Sequence, residues 1–232
     1  MKKRLTAVIG CIALIACACT ALPAAETVVD VSFADGAWDK SVWTMAKSPI
    51  VDYFGDWIQR ETSIENVTPE DPKERSKLVG TLTTMVYHTP FTGNWTASAT
   101  FEIGAGAAPG IVIAQDMAPD AQGRPEYGIY YEVIVYEKGI NLWYHFAQED
   151  GKRKWHKALY ARFPLQADTP YTLRVQRSGQ SLDLQVLDPR AEGEPTILQQ
   201  VGVMLPTLSD EVYLGIEGCE GVCRTLDFKV VR

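Results

Sequence analysis

Short stretches of alternating or continuous apolar residues, separated by turn residues, recur along the chain from residue 26 onward. Residues 95–103 alternate apolar and polar side chains, and residues 111–115 form a continuous apolar run. Period-2 alternation and short apolar runs bounded by Gly and Pro predict β-strands. No stretch carries an apolar stripe of helical period for more than a turn or two. The pattern therefore predicts an all-β protein, a two-sheet antiparallel sandwich or jelly roll covering residues 26–232.

The segment 127–160 is predicted to form a three-stranded meander at the centre of this domain. Residues 127–136, 140–146 and 152–160 are rich in β-branched and aromatic side chains, and Lys138-Gly139 and Asp150-Gly151 separate them as hairpin turns. With two residues in each turn, one face of the meander is apolar. We interpret that face as core, with one row made of Tyr131, Phe146 and Trp155 and another of Val135, Leu142 and Leu159.

The opposite face brings three ionisable groups abreast, Glu132, His145 and His156. We expect them to be flanked by ligand-binding side chains, Tyr130, Trp143, Asn141 and Lys154. A carboxylate beside imidazoles is suited to acid/base catalysis near neutral pH, and the same three groups are possible ligands of a metal ion. They also fit a solvated sheet face with no chemistry. The arrangement depends on register, because a slip of one residue exchanges the faces, and a three-residue loop at 137–139 separates Glu132 from His145.

The N-terminus has the features of an export signal. Residues 1–5 are basic, residues 6–16 are apolar but too short to span a bilayer, and Leu14-Ile15-Ala16-Cys17 resembles the bacterial lipobox, which predicts lipidation of Cys17. Ordinary cleavage within residues 21–25 is the alternative. Loss of residues 1–25 leaves 19 basic and 29 acidic residues, a net charge of −10. This charge disfavours nucleic acid as a partner. We therefore expect a protein of the periplasm or cell surface, attached to the membrane only through its lipid.

Two further groups of residues carry open interpretations. Cys219 and Cys223 flank a predicted turn, and an exported protein favours a disulfide between them over a metal site. An aromatic cluster near the N-terminus, formed by Trp38, Trp43, Tyr53, Phe54 and Trp57, is either a platform for stacking sugars or part of the core.

The order of these elements is similar to that of the concanavalin A-like lectin/glucanase superfamily. The shared features are an early Trp-containing segment, a strand ending in a Gly-rich corner (101–110), an apolar strand (110–114), a Tyr-rich hairpin (130–144), a strand at 171–175 and a closing pair at 214–216 and 226–230. Among exported bacterial proteins the layout most resembles 3-keto-disaccharide hydrolase-like and laminin-G-like domains. The resemblance implies two packed sheets, one of them concave and facing sugar.

Glycoside hydrolases of this fold carry two carboxylates alternating along one strand as Glu-x-Asp-x-x-Glu. This sequence lacks that run, and Glu132 stands alone on its strand, whereas glycosidic cleavage normally needs two acids. We therefore expect a carbohydrate-associated protein that acts on or binds a glycan at the face built by residues 127–160. A non-catalytic carbohydrate-binding module and a structural envelope lipoprotein are the alternatives.

Overall fold

A computed structural model describes residues 26–69, 71–75, 81–148, 152–193 and 195–232. The predicted export signal with Cys17 and the predicted Asp150-Gly151 turn lie outside the described residues. Within the described ranges the chain forms eighteen strands, one short α-helix and one turn of 3-10 helix. No helix among these residues has the length and apolar character needed to cross a bilayer.

The helices are α1 (Pro72–Arg75) and the 3-10 turn Lys40–Val42. The strands are β1 (Thr27–Ser32), β2 (Trp43–Ala46), β3 (Trp57–Gln59), β4 (Ile64–Asn66), β5 (Thr81–Tyr87), β6 (Phe91–Thr92), β7 (Trp95–Ile103), β8 (Ala108–Ala114), β9 (Met117–Pro119), β10 (Pro125–Tyr127), β11 (Tyr130–Tyr136), β12 (Gly139–Ala147), β13 (Arg153–Arg162), β14 (Pro170–Ser178), β15 (Ser181–Asp188), β16 (Thr196–Met204), β17 (Glu211–Cys219) and β18 (Cys223–Val231).

The strands form two antiparallel sheets and a small ribbon. The back sheet runs in the order β16-β15-β14-β7-β18-β4-β3, with β1 also paired to β18. The front sheet runs in the order β13-β12-β11-β8-β17-β5-β2, with β6 paired to β17. β9 and β10 pair only with each other. The prediction of an all-β, two-sheet antiparallel sandwich is confirmed.

Alternation along the strands places one face of each sheet in a shared core. Val133 and Leu142 of the front sheet and Ala99 and Leu173 of the back sheet are fully buried in one apolar cluster. Burying a side chain of this size stabilises the fold by about 1.5–3 kcal/mol. Of the aromatic cluster near the N-terminus, Trp38, Trp43 and Trp57 pack against this core, with Trp43 edge-on to Phe228. Phe54 is exposed instead.

The outer face of the front sheet is partly covered by two segments, residues 46–53 and 117–127, which we call the cover. The Lys47 ammonium is 2.5 Å from Glu126 Oε2, and Arg124 donates at 2.6 Å to Asp52, so ion pairs hold the two segments together. Beneath the cover lies a second apolar cluster built from Ala46, Val86, Val112, Ala114, Tyr127 and Tyr130. Elsewhere on this face Trp155 and Tyr160 of β13 are exposed, whereas Asn141 and Glu217 are buried.

The first hairpin of the meander turns one residue earlier than predicted, which shifts the pairing of its strands by two residues. Tyr136 pairs with Gly139, so Glu137 and Lys138 form the turn, and Tyr130 rather than Glu132 lies opposite His145. Gly139 is the first residue of β12, and a side chain is excluded there because a Cβ would lie 2.1 Å from the carbonyl oxygen of Ala161. A shift of two residues leaves every side chain on its predicted face.

In the second hairpin, the pairing of β12 with β13 differs from the predicted pairing by one residue over half of its length. His145 pairs with Trp155 and Trp143 with Lys157, whereas Leu142 pairs with Leu159 as predicted. A β-bulge between these pairs absorbs the extra residue, Ala158. On the hairpin side of the bulge, the side chains of β13 therefore point to the faces opposite those predicted.

Candidate functional site

A cleft opens on the outer face of the front sheet, beside the cover. Its volume is about 210 Å³, and it is lined by Ile50, Glu132, Ile134, Trp143, His145, Trp155, Cys219 and Glu220. Residues of β11, β12, β13 and β17 contribute to the lining, so the cleft crosses most of the sheet. Pockets that enclose a whole small molecule usually exceed about 300 Å³, so this cleft suits one unit of a longer ligand.

A buried carboxylate and imidazole form the floor of the cleft. His145 Nε2 lies 3.0 Å from Glu132 Oε2, on side chains that are each 6% exposed. The two residues are diagonal neighbours across β11 and β12, a geometry that lets long side chains meet. His145 Nδ1 is buried and has no hydrogen-bond partner among the described residues.

Tyr130 fixes the orientation of this pair. Its ring stacks on the His145 ring with the centroids 4.3 Å apart and the planes 3° from parallel, and its hydroxyl lies 2.7 Å from Ser48 Oγ in the cover. Burial raises the pKa of Tyr130 well above its ordinary value, and the nearby Glu132 carboxylate raises it further. The phenol therefore stays neutral and serves as a rigid packing surface for the imidazole.

The placement predicted for His156 and Lys154 is wrong. Both lie on the face away from the cleft, where His156 packs edge-on against Tyr144. Trp155, predicted in the core, is 55% exposed and lines the cleft. The bulge at Ala158 is the physical cause, because it reverses the faces of residues 153–157.

The remaining predicted side chains divide between the two halves of the outer face. Trp143 lines the cleft as predicted, and Asn141 lies on the same face of β12, two residues away. Tyr130, predicted to bind ligand, is fully buried beneath the cover. It supports His145 instead of contacting a ligand.

The predicted disulfide is absent, although both cysteines are described. Cys223 lies in the core between the sheets, whereas Cys219 packs on the outer face of the front sheet with Ala108 and Ile134. The turn between them is held by Asn66 instead, which donates to Gly221 O at 2.9 Å and accepts from Cys223 N at 2.8 Å. Burial raises the pKa of the Cys223 thiol, so the thiol stays protonated.

Two outer-face residues of interest escaped the sequence analysis. Glu217 is fully buried on β17, and only β8 separates that strand from β11, which carries Glu132. The sequence signal that could have identified Glu217 is a single acid inside the otherwise apolar run 212–219. Lys157 lies over the Trp143 and Tyr160 rings, with its ammonium 4.6 and 5.1 Å from the centroids. In the described ranges, no three His, Cys, Asp or Glu side chains are arranged to hold a metal ion.

Solved structures share this architecture at low sequence identity. A carbohydrate-binding module, CBM66, from Bacillus subtilis aligns with a TM-score of 0.50 and 12% identity over 80% of this chain and 92% of its own. Peanut lectin aligns at 0.51 and 11% over 89% and 97%, and a glycosyl hydrolase family protein from Mycobacterium fortuitum at 0.52 and 12% over 88% and 99%. No protein-family model and no curated protein matches the chain. The chain has the fold of the concanavalin A-like lectin/glucanase superfamily.

Proposed function

We propose that this protein binds a glycan in the cleft between Trp143, Trp155 and the cover. The observation that carries the proposal is the combination of an exposed indole and a buried hydrogen-bonding pair. Trp155 is 55% exposed beside the cleft, and Glu132 and His145 form its floor. Sugar rings have apolar faces that stack on indoles and hydroxyl edges that bond to carboxylates and imidazoles.

The size and position of the cleft support an extended ligand. One sugar ring occupies the cleft, and its neighbours in the chain run over the outer face of β13, where Trp155 and Tyr160 are both exposed. The two residues lie on the same face, on either side of the bulge. Several rings of a polysaccharide would then stack in succession.

The proteins that share this fold support the proposal of glycan binding by analogy. One is named as a carbohydrate-binding module, one as a lectin and one as a glycosyl hydrolase family protein. A shared fold does not by itself transfer an activity. The weight of the proposal therefore rests on the cleft and its side chains.

Binding without turnover fits the geometry better than catalysis. Glu132 is 4% exposed and Glu217 is fully buried, while His145 Nδ1 has no accessible surface. Cleavage of a glycosidic bond normally needs two carboxyl groups that reach opposite sides of that bond. Glu132 and His145 reach the cleft only at its floor, where they are placed to bond to hydroxyl groups of a bound sugar.

Hydrolysis is the second candidate, favoured by one specific contact. The 3.0 Å contact between His145 and Glu132 is typical of an imidazole oriented by a carboxylate for proton transfer. If the protein cleaves a glycan, Glu132→Gln abolishes product release while Trp155→Ala mainly weakens binding.

A glycan array with the purified protein tests the proposal, with Trp155→Ala as the site variant. We expect binding by the unaltered protein and loss of binding by the variant. Chromatography of the same glycans after incubation detects turnover. If the array shows no binding and chromatography shows no turnover, the proposal is refuted and a structural role in the envelope is favoured.

The predicted export signal extends the proposal to location. We propose that the protein binds its glycan in the periplasm or at the cell surface, attached through a lipid on Cys17. Metabolic labelling with a fatty acid analogue tests this step. We expect label on the unaltered protein and none on Cys17→Ala, whereas label on neither would refute the lipid anchor.

A further inference from the structure

β13 carries a dense group of basic residues on an acidic protein. Residues 152–162 contain five Lys or Arg and no Asp or Glu, although the whole chain has a net charge of −7. This strand forms one edge of the front sheet and borders the cleft. A local concentration of one sign of charge at a binding site attracts ligands of the other sign.

The register divides these residues between the two faces of β13. The cleft side carries Arg153, Trp155, Lys157, Tyr160 and Arg162 in succession, so cations and aromatic rings are interleaved. Arg153 is engaged, since it donates to Gly128 O at 2.8 Å. Lys157 and Arg162 are exposed.

Neither Lys157 nor Arg162 pairs with a carboxylate in the part of the chain that the structure describes. Across the ranges that the structure describes, every ion pair joins other residues. Lys157 lies instead over Trp143, a wall of the cleft, and over Tyr160. Cation–π contacts hold its ammonium in place without neutralising its charge. A positioned and unpaired cation beside the cleft is prepared to meet an anion.

Protection of a sheet edge is the competing explanation for basic residues here. Lysines on edge strands discourage pairing with other chains. That role is served equally by either face, and Lys154 on the far side is sufficient for it. It does not explain why cations alternate with exposed aromatic rings on the cleft side, or why Lys157 contacts the wall of the cleft.

We propose that the cleft side of β13 selects an anionic glycan, whose carboxylate or sulfate groups meet Lys157 and Arg162 while its rings stack on Trp155 and Tyr160. The inference rests on the proposed glycan-binding function. Lys157 and Arg162 lie opposite Trp143 and Gly139, which are four residues apart on β12, so they are about 13 Å apart at about 3.3 Å per residue. The anionic groups must therefore belong to different units of a polymer.

An array of neutral, uronate-bearing and sulfated oligosaccharides, with single-stranded DNA as an added probe, tests the inference. We expect the acidic glycans to bind. Lys157→Gln should weaken that binding about tenfold, the loss expected for one hydrogen bond to a charged group, and Lys157→Arg should retain it. Lys154→Gln is the matched control, because it removes the same charge from the opposite face. It should leave binding unchanged, and added salt should weaken binding by the unaltered protein more than by Lys157→Gln.

The alternative outcomes separate this inference from the proposed function. Binding of neutral glycans only, with no effect of Lys157→Gln, overturns the anionic selectivity and leaves glycan binding intact. Equal losses from Lys157→Gln and Lys154→Gln also overturn it, because they show a general charge effect. If single-stranded DNA binds more tightly than any acidic glycan, Lys157 and Arg162 are assigned to nucleic acid binding. That result also overturns the proposed selectivity for an anionic glycan. No glycan binding at all overturns both proposals.

Discussion

Exchanging Trp155 or His156 for alanine distinguishes the observed register of β13 from the one that two tight turns predict. In the structure Trp155 faces the cleft and His156 faces away from it. We expect Trp155→Ala to weaken glycan binding strongly and to change stability little, and His156→Ala to change neither by much. In the register with two-residue turns the roles are reversed, since Trp155 is then a core residue and His156 a site residue.

The expected loss of affinity follows from the exposed area of the indole. Trp155 is 55% exposed, and a Trp side chain buries up to about 250 Å² when covered, so about 140 Å² of it is free. A sugar stacked on one ring face covers about half of that area, which at about 25 cal/mol per Å² gives about 1.7 kcal/mol. This corresponds to about a twentyfold loss of affinity.

Titration calorimetry with the best glycan from the array measures the affinity, and denaturant unfolding measures the stability. Trp155→Ala should change the free energy of unfolding by less than about 1 kcal/mol, as is usual for an exposed site. Removal of a core Trp costs about 3–5 kcal/mol. A stability loss of that size for Trp155→Ala, together with a binding loss for His156→Ala, would refute the observed register and with it the description of the cleft.

Four further predictions concern the buried groups around the site. His145→Ala should destabilise the fold by about 3–5 kcal/mol, because it leaves a buried carboxylate without its imidazole, and replacing Glu132 and His145 together by leucine should recover most of the loss in denaturant unfolding. Asn66→Leu should cost about 2–4 kcal/mol in the same assay, since two buried backbone groups of the turn 219–223 lose their partner. Because the pKa of Tyr130 is raised in the folded state, its contribution to stability is present below about pH 10 and is lost as the pH rises above it; ultraviolet titration should show a tyrosine that ionises only on unfolding. A reducing agent should leave the melting temperature unchanged, since Cys223 forms no disulfide, whereas a fall of several degrees would reveal one.

The face assignment of β11 and most of β12 was predictable from the sequence. Alternation puts Tyr131 and Val133 in the core and Glu132 on the outer face, and the structure agrees. The first turn was predicted one residue too late, but this shifts the strand pairing by two residues, and an even shift preserves faces. The contact between Glu132 and His145 survived for that reason, as a diagonal rather than a direct pair.

The bulge at Ala158 was not predictable, because its cause lies outside the strand that carries it. Leu142 and Leu159 pair in the core on one side of the bulge, and Ala147 pairs with Arg153 on the other. The two pairings differ in register by one residue, which the bulge accommodates. The alanine at position 158 gives no local sign of a bulge, so the faces predicted for Trp155 and His156 were the reverse of those observed.

The extent of the site depends on which part of the outer face the cover leaves open. Alternation within a strand says that Tyr130 and Glu132 share a face, yet it does not say that Ser48 closes over Tyr130 while Trp155 stays exposed. That distinction comes from the ion pairs and backbone bonds that join residues 46–53 to 117–127, across a long separation in sequence. The same cover turns Tyr130 into a support for His145 and leaves the indole of Trp155 as the first surface that a ligand meets. The function therefore depends on the boundary of the cover as much as on the residues of the meander.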